Sequence, residues 1–452
     1  MMPIADVIAT GAYADHVNPQ WVKLLSLLEM NVSYERCIGA ELFTVGGRRI
    51  TDFLSGYCVH NTGHNHPAII AALKDELDCS GPVMLQSNVP ELAGELAARL
   101  SKLAGGGLTK VFFASSGSEG VETAIKFARA QTGRVGLLSC DRAFHGLTCG
   151  ALSLMNGDYW RKGFGPLLPE TAVVPFGDLA ALEKALATQS YAAFFVEPIQ
   201  AEGGIRVPQQ NYLEDAQALC QRYGSLLVAD EVQTGMFRTG PFLASHHFGI
   251  TPDIVVLAKA LSGGLVPVSA VLMSDEIHRS VFSSFKRSIV HASTFSENSL
   301  SMRAGLATLD VLEEQRLGER ATEIGIDLQE KLTSALDGYE MVKEVRGKGL
   351  LLGIEFTAPR RLALRAPFEA FAQIHPAMFG QILVMRLFRS ANILTQICGN
   401  DFMVLKVAPP LVVTTAQVDE FVSAVHDVVD FAHHPGSFWS EALGLARRAM
   451  GA

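Results

Sequence analysis

Two short apolar runs, each closed by a charged residue, constrain the fold of this chain more than any other feature. The first run covers residues 226–229 and is followed by Asp230; the second covers residues 254–258 and is followed by Lys259. Short apolar segments rich in branched residues are typical of buried parallel strands. Because open α/β sheets bind ligands at the carboxyl ends of their strands, we expect both charged side chains at one ligand-binding edge.

A carboxylate and an amine at one edge are the two groups that pyridoxal phosphate requires. Lys259 would hold the cofactor as an imine, and Asp230 would keep the ring nitrogen protonated so that the ring draws electrons from the substrate. Burial beside apolar strands would lower the pKa of Lys259 and favour its neutral, nucleophilic form. A structural ion pair between the two residues is the alternative interpretation.

A second predicted element provides a site for the phosphate. Residues 111–114 are predicted to form a strand, followed by the small-residue turn 115–120 and an amphipathic helix. Free N–H groups and the helix dipole favour an anion at such a helix start, although an ordinary capped turn has the same pattern. The turn is neither a GxGxxG nor a Walker loop, which argues against dinucleotide and ATP binding.

Composition excludes several classes of protein. The net charge of −9 over 452 residues leaves no basic stripe for nucleic acid, and no run reaches the roughly 18 apolar residues of a membrane span. Seven scattered cysteines and a start without secretory features predict a cytoplasmic protein. His60, His64 and His66 lie in a Gly- and Pro-containing turn without a complete ligand set, so we predict no metal site.

The order of predicted elements indicates an α/β fold. Strands and helices alternate to about residue 274, as in a large, doubly wound, mostly parallel sheet, and an α+β pattern begins at Val342. We expect an N-terminal segment over residues 1–58 that joins the smaller domain. A large cofactor-binding domain would cover residues 59–305, and a small α+β domain with a helical tail residues 306–452.

With these motifs assembled, the chain resembles the class III aminotransferases of the ornithine, putrescine and acetylornithine type, which are fold type I pyridoxal-phosphate enzymes. The resemblance covers roughly residues 35–425. It is carried, in the family's order, by the motifs SSGSEGVETAIKFAR, FHG, VEPIQAEGG, VADEVQTGMFRTG, PDIVVLAKALSGG and STFSEN.

The resemblance implies a role for each matching residue. Lys259 would bind the cofactor and carry protons, Asp230 would pair with the ring nitrogen, and Gln233 would bond the ring hydroxyl. The other cofactor-binding positions are Phe144 and Val232 on the two ring faces, Ser116, Gly117 and Ser118 at the phosphate, and Thr294 at the phosphate of the neighbouring subunit. The resemblance therefore also implies a homodimer with shared active sites.

The predicted substrate residues depart from those of some relatives. Branches that act on ornithine or acetylornithine have an arginine where this chain has Leu147, and many relatives have an arginine where this chain has Lys406. A lysine can pair with a carboxylate, but not in a bidentate fork. If Lys406 faces Glu202, the pair could open for an amino-acid donor and close for an amine; a solvated strand lysine is the alternative.

Two apolar segments bear on the substrate. Residues 361–400 could wall a wide apolar pocket, although packing is the simpler use, and the tail from Phe438 could touch a membrane or the chain's own dimer. We therefore predict transfer of an amino group between a glutamate-like donor and an aldehyde or ketone of the terminal-amine, putrescine-like branch. The alternatives are a bulky apolar aldehyde, as in hopanoid side-chain synthesis, and a decarboxylase, an aminomutase or a non-catalytic protein of the same fold.

Overall fold

The structure is a computed structural model that describes residues 11–85, 87–374, 376–434, 436, 438–441 and 443–444. Its N-terminal part contains helices α1 (Gly11–His16) and α2 (Pro19–Leu27) and strands β1 (Tyr34–Ile38), β2 (Glu41–Thr44) and β3 (Arg49–Asp52). β2 and β3 form an antiparallel hairpin. A turn with positive φ angles follows at Ser55–Cys58 (α3).

A seven-stranded sheet forms the centre of the fold. Its strands are β4 (Lys110–Ala114), β5 (Gly136–Cys140), β6 (Thr171–Val174), β7 (Tyr191–Val196), β8 (Leu226–Asp230), β9 (Ile254–Leu257) and β10 (Ser269–Met273). They lie in the order β4-β10-β9-β8-β7-β5-β6. The pairs from β6 to β9 are parallel, and β10 is antiparallel to both of its neighbours.

Helices cover both faces of this sheet. They are α4 (Pro67–Asp78), α5 (Glu91–Ala104), α6 (Gly117–Thr132), α7 (Cys149–Ser153), α8 (Asp158–Arg161), α9 (Leu179–Leu186), α10 (Tyr212–Tyr223), α11 (Asp275–Val281) and α12 (Ser299–Glu314). Successive strand residues point to opposite faces. Accordingly, Phe194 of β7 packs in the core under α9 and α10, and Phe195 packs in the core under α6. The predicted doubly wound, mostly parallel architecture is confirmed.

The C-terminal third adds another sheet, which is antiparallel. The elements of this part of the chain are, in order, α13 (Leu317–Ala335), β11 (Val342–Lys348), β12 (Leu351–Phe356), α14 (Leu362–Ile374), α15 (Met378–Ala391), β13 (Ile393–Leu394), β14 (Gln396–Ile397), β15 (Val404–Val407) and α16 (Thr415–Ala432). The sheet order is β11-β12-β15-β14, while β13 pairs in parallel with β3. The domain boundaries at residues 58 and 305 stay a prediction.

The apolar stretch 361–400 packs into the core. Within it, α14 and α15 bury side chains that include Phe368, Phe379 and Phe388. None of its described residues lines the cavity at Lys259 described below. Packing is therefore the main use of the described side chains, although Phe368, Pro376 and Phe379 also line a separate cavity of about 430 Å³. The placement of the Phe371 side chain lies outside the described residues.

The start of the tail is also part of the core. Phe438 and Trp439 are 0% and 4% exposed, and the indole N–H of Trp439 donates to the carbonyl of Ala432. These two aromatic side chains are therefore not available to a membrane surface, whereas residues 442 and 445–452 of the tail lie outside the described residues. No helix in the described part of the chain is long and apolar enough to cross a membrane. All seven cysteines are free thiols.

Candidate active site

The carboxyl ends of β8 and β9 bring the predicted acid and amine to one edge of the sheet. The two strands are parallel neighbours, with Asp230 in register with Val256, and Lys259 begins the turn after β9. Lys259 has a φ of +49°, a left-handed conformation that a residue with a side chain rarely adopts and that often marks a functional position. Burial, reinforced by the charge of Lys406, lowers the pKa of the Lys259 amine.

A cavity of about 540 Å³ opens at this edge. It is lined by most of the residues predicted to bind the cofactor, namely Ser116, Gly117, Ser118, Phe144, Asp230, Val232, Gln233 and Lys259. Thr294 is not among its lining residues and is exposed to solvent. The structure therefore gathers all of the predicted cofactor positions except the one that the resemblance assigns to a neighbouring subunit.

The start of α6 forms one end of the cavity. Ser116 caps the helix, because its Oγ accepts the N–H of Glu119 at 3.2 Å. The N–H groups of Gly117 and Ser118, in the first turn, have no acceptor within the helix. Gly146 closes against Ser118, where a β-carbon would lie 2.1 Å from the serine oxygen, so that position requires glycine. This end therefore fits a phosphate group.

Asp230 is supported by a histidine that sequence reasoning missed. Nδ1 of His145 lies 2.8 Å from Oδ2 of Asp230, and both side chains are buried. Burial disfavours the charged imidazole, but the hydrogen bond and charge of Asp230 outweigh it and raise the pKa of His145. His145 therefore fixes the orientation of the Asp230 carboxyl group through this hydrogen bond. Its place in the FHG motif was the available signal.

A second buried carboxylate, Glu197, lines the same cavity. It follows β7, the strand next to β8, and accepts the N–H groups of Phe144 at 3.0 Å and of Ala201 at 3.1 Å. Burial, assisted by the charge of Asp230 and opposed by that of His145, raises the pKa of Glu197 to about 7. Glu197 holds the backbone of Phe144 in place. Its position at the end of a strand indicates that it lies near the site, but not that Phe144 is its partner.

Glu202 and Lys406, the two predicted substrate residues, form a buried ion pair. Glu202 also accepts a hydrogen bond from Gln233 Nε2 at 3.2 Å, which joins the pair to the cavity. Burial opposes ionisation of both groups, but their mutual attraction outweighs it, so the pKa of Glu202 is lowered and that of Lys406 is raised. The ring of Tyr57 lies 5.0 Å from Nζ of Lys406. The solvated-lysine interpretation of Lys406 is therefore wrong.

The histidines of the HNTGHNHP turn have separate partners. Nε2 of His64 lies 2.7 Å from Oδ2 of Asp52, the ring of His60 stacks on that of His64 at 3.9 Å, and His66 contacts Gln315. Within the described residues, no three His, Cys, Asp or Glu side chains are placed to hold a metal ion.

An exposed apolar face surrounds the segment that carries Thr294. We define this face by the exposed side chains of Val83, Leu85, Val89, Phe285, Ile289 and Phe295. A groove of about 870 Å³ runs between segments 82–92 and 284–299. His291 anchors the second segment on α6, with Nδ1 2.7 Å from Nζ of Lys126 and Nε2 3.0 Å from Oγ1 of Thr123.

Comparisons with known proteins agree on one family. Residues 26–429 match the family model described as Aminotransferase class-III. The chain is 36% identical to the Aminotransferase PigE of Serratia sp. over 92% of this chain and 53% of PigE, so it spans about half the length of that relative. It is 35% identical to the putrescine aminotransferase of Pectobacterium atrosepticum, over 93% of this chain and 88% of the relative.

The solved structures include similar folds. The ornithine aminotransferase of Toxoplasma gondii, crystallised with partial occupancy of pyridoxal phosphate at its active site, is 30% identical. It superposes with a TM-score of 0.79, over 89% of this chain and 90% of that one.

Proposed function

This chain belongs to the class-III aminotransferases, which are pyridoxal-phosphate enzymes, and we propose that it moves an amino group between a glutamate-like donor and an aldehyde or ketone of the terminal-amine class. The observation that carries the substrate proposal is the buried Glu202–Lys406 pair, joined through Gln233 to the cavity at Lys259. The same pair would open to bind a substrate carboxylate and stay closed when an amine without a carboxylate binds.

The residues of the cavity fit the cofactor at each of its parts. Lys259 would hold it covalently through Nζ, and Ser116, Gly117 and Ser118 would bind its phosphate at the start of α6. Phe144 and Val232 would cover the ring faces, and Gln233 would bond the ring hydroxyl. When bound, pyridoxal phosphate supplies a reactive aldehyde and a ring that draws electrons from the substrate.

Two residues would control protons. Asp230, hydrogen-bonded to His145, would hold a proton on the ring nitrogen. Lys259 has a lowered pKa because it is buried, so its amine would be able to take a proton from the substrate carbon and return it to another atom. The neutral amine is the form that acts as a base.

The Glu202–Lys406 pair would distinguish the two substrates. A donor with a carboxylate would pair with Lys406 after Glu202 swings away, because a buried ammonium requires an anionic partner. A terminal amine without a carboxylate would bind while the pair stays closed, because Glu202 already neutralises Lys406. One site would thus accept both partners of the transfer.

Half-reactions test this function. The absorbance of the bound cofactor would be followed with L-glutamate and, separately, with putrescine; we expect both to convert it. Lys406→Gln should lower kcat/KM for glutamate about 10–100-fold, because a charge-assisted hydrogen bond is lost, and affect putrescine much less. Lys348→Gln, an exposed lysine on β11, is the control. Failure of glutamate or of putrescine to convert the cofactor would contradict the proposal.

One observation favours an apolar aldehyde as a second candidate. Leu147 is 55% exposed, and its N–H donates to Ser118 Oγ at the edge of the cavity. An apolar side chain at this position suits an apolar substrate, whereas the described residues of the stretch 361–400 provide no pocket wall at Lys259. A preference for octylamine over putrescine in the same half-reaction would support this candidate.

We also propose that the enzyme is a cytoplasmic homodimer. The exposed apolar face supports the dimer, because apolar patches of this kind mark interaction surfaces. Thr294 lies within that face and would reach the phosphate at the partner's site. Seven free cysteines suit a reducing compartment. The division of the chain into segments 1–58, 59–305 and 306–452 belongs to the same proposal.

Dimer formation is expected to weaken in acid because of His291. Burial, together with the charge of Lys126, lowers the pKa of His291 from 6.5 to about 4, since a neutral ring accepts the lysine N–H. When the segment separates from α6, the His291 ring would take up a proton at its ordinary pKa of 6.5. The anchored segment is thus favoured above pH 6.5 and loses stability as the pH falls toward 4.

Sedimentation velocity between pH 7.5 and pH 4.5 would measure this effect. His291→Gln, whose amide can replace both hydrogen bonds, should remove this part of the pH dependence of association. His434→Gln, at an exposed histidine, should retain it. An unchanged pH dependence in His291→Gln would refute the assignment.

A further inference from the structure

The loop at residues 398–402, between β14 and β15, is fastened to the Glu202–Lys406 pair. The N–H of Gly399 donates to Oε2 of Glu202 at 2.8 Å. The N–H of Asn400 donates to the main-chain carbonyl of Glu202 at 2.9 Å. The position of this loop therefore determines one of the hydrogen bonds that hold the Glu202 carboxylate against Lys406.

The side chain of Asn400 fixes the loop in place. Its Oδ1 accepts the indole N–H of Trp160 at 2.6 Å. Its Nδ2 donates to the carbonyls of Arg142 at 2.9 Å and Ala143 at 3.1 Å. Asn400 thus connects the loop to α8 and to the segment that leads into Phe144.

Trp160 lies between the loop and the cofactor cavity. Its ring meets that of Phe144 edge-on, with centroids 5.3 Å apart and planes at 73°. On the loop side, a β-carbon built on Gly399 would lie 3.6 Å from Cζ2 of Trp160, so the indole lies directly against this glycine. One side chain therefore contacts both a lining residue of the cavity and the donor that holds Glu202.

We propose that Trp160 is a positioning residue that determines substrate specificity. Through Asn400 it holds the N–H of Gly399 on Glu202, and so sets how readily Glu202 leaves Lys406 when a substrate carboxylate arrives. A carboxylate must displace Glu202, whereas an amine without a carboxylate need not. Trp160 therefore favours terminal amines over amino acids. This inference rests on the proposed function.

Trp160→Phe tests the inference because it retains an aromatic ring and removes the indole N–H, together with part of the indole contact area. We expect glutarate, a dicarboxylate probe, to bind the variant holoenzyme about tenfold more tightly, as measured by titration calorimetry. The ratio of kcat/KM for glutamate to that for putrescine should rise by a similar factor through a lower KM for glutamate. If Trp160 had only a structural role, the substitution would lower kcat/KM for glutamate and for putrescine by similar factors.

Tyr159→Phe is the matched control. Tyr159 is 73% exposed, and the centroid of its ring lies 4.7 Å from that of Trp160. The substitution therefore removes a neighbouring hydroxyl but retains the hydrogen bond between Trp160 and Asn400. Neither glutarate affinity nor the substrate ratio should change.

Asn400→Ala gives an independent test if Trp160→Phe folds poorly, because it removes the acceptor from the other side of the same bond. Asn400→Ala should also make glutarate bind more tightly. Unchanged glutarate affinity in a folded variant of either kind overturns the inference. Failure of the unsubstituted enzyme to react with glutamate or putrescine counts against the proposed function alone, since glutarate binding does not depend on turnover.

Discussion

Replacing Lys259 with alanine is expected to lower the turnover number by about 10,000-fold or more, because one change removes both the covalent holder of the cofactor and the proton carrier. The amine lies at the cavity edge with a pKa lowered by burial. No other lysine lines the cavity within the described residues. Steady-state turnover of glutamate with an acceptor aldehyde measures the effect.

Two comparisons separate this effect from misfolding. Lys184→Ala, at an exposed lysine on α9, should leave turnover unchanged. Adding a small primary amine to Lys259→Ala should restore part of the activity, since a diffusible base can occupy the vacated space. A Lys259→Ala enzyme with ordinary turnover would show that this lysine is not the reactive one.

The sequence predicted Lys259 and Asp230 because their position depends on local rules. A run of branched apolar residues predicts a buried strand, and a parallel sheet aligns the carboxyl ends of its strands. The structure confirms that β8 and β9 are parallel neighbours. No long-range contact had to be known to expect these two side chains at one edge.

Residues whose roles depend on distant partners were harder to predict. His145 meets Asp230 across 85 positions of the sequence, and Trp160 meets Asn400 across 240. The FHG motif marks His145 as a possible site residue, but neither it nor a tryptophan in a short helical turn indicates which distant residue is the partner. Such contacts depend on the relative placement of whole elements, which periodicity does not specify.

The stretch 361–400 shows the opposite difficulty. Its apolar composition suits a pocket wall and a packed helix equally, because both place the same side chains away from water. In the structure, α15 buries Phe379 and Phe388 in the core. Thr294 was predicted only through the family resemblance, because its proposed role belongs to the site of the neighbouring subunit.

Asp230→Asn is expected to lower turnover by about 1,000-fold, because the amide has the same shape but no charge to hold a proton on the cofactor ring. The carboxylate is buried and lies 2.8 Å from Nδ1 of His145. The charge of Asp230 helps to raise the pKa of His145, so its loss should lower that pKa as well. Turnover and the NMR titration of His145 would both report the change.

Asp253→Asn is the matched control for that substitution. Asp253 belongs to the same strand pair, immediately before β9, and its Oδ2 accepts the N–H of Leu227 at 2.8 Å, at the end of the sheet away from Lys259. Its loss should affect stability but not turnover. His145→Gln should lower turnover only about tenfold, since His145 acts through Asp230. Equal losses in Asp230→Asn and Asp253→Asn would mean that Asp230 supports the sheet and not the cofactor ring.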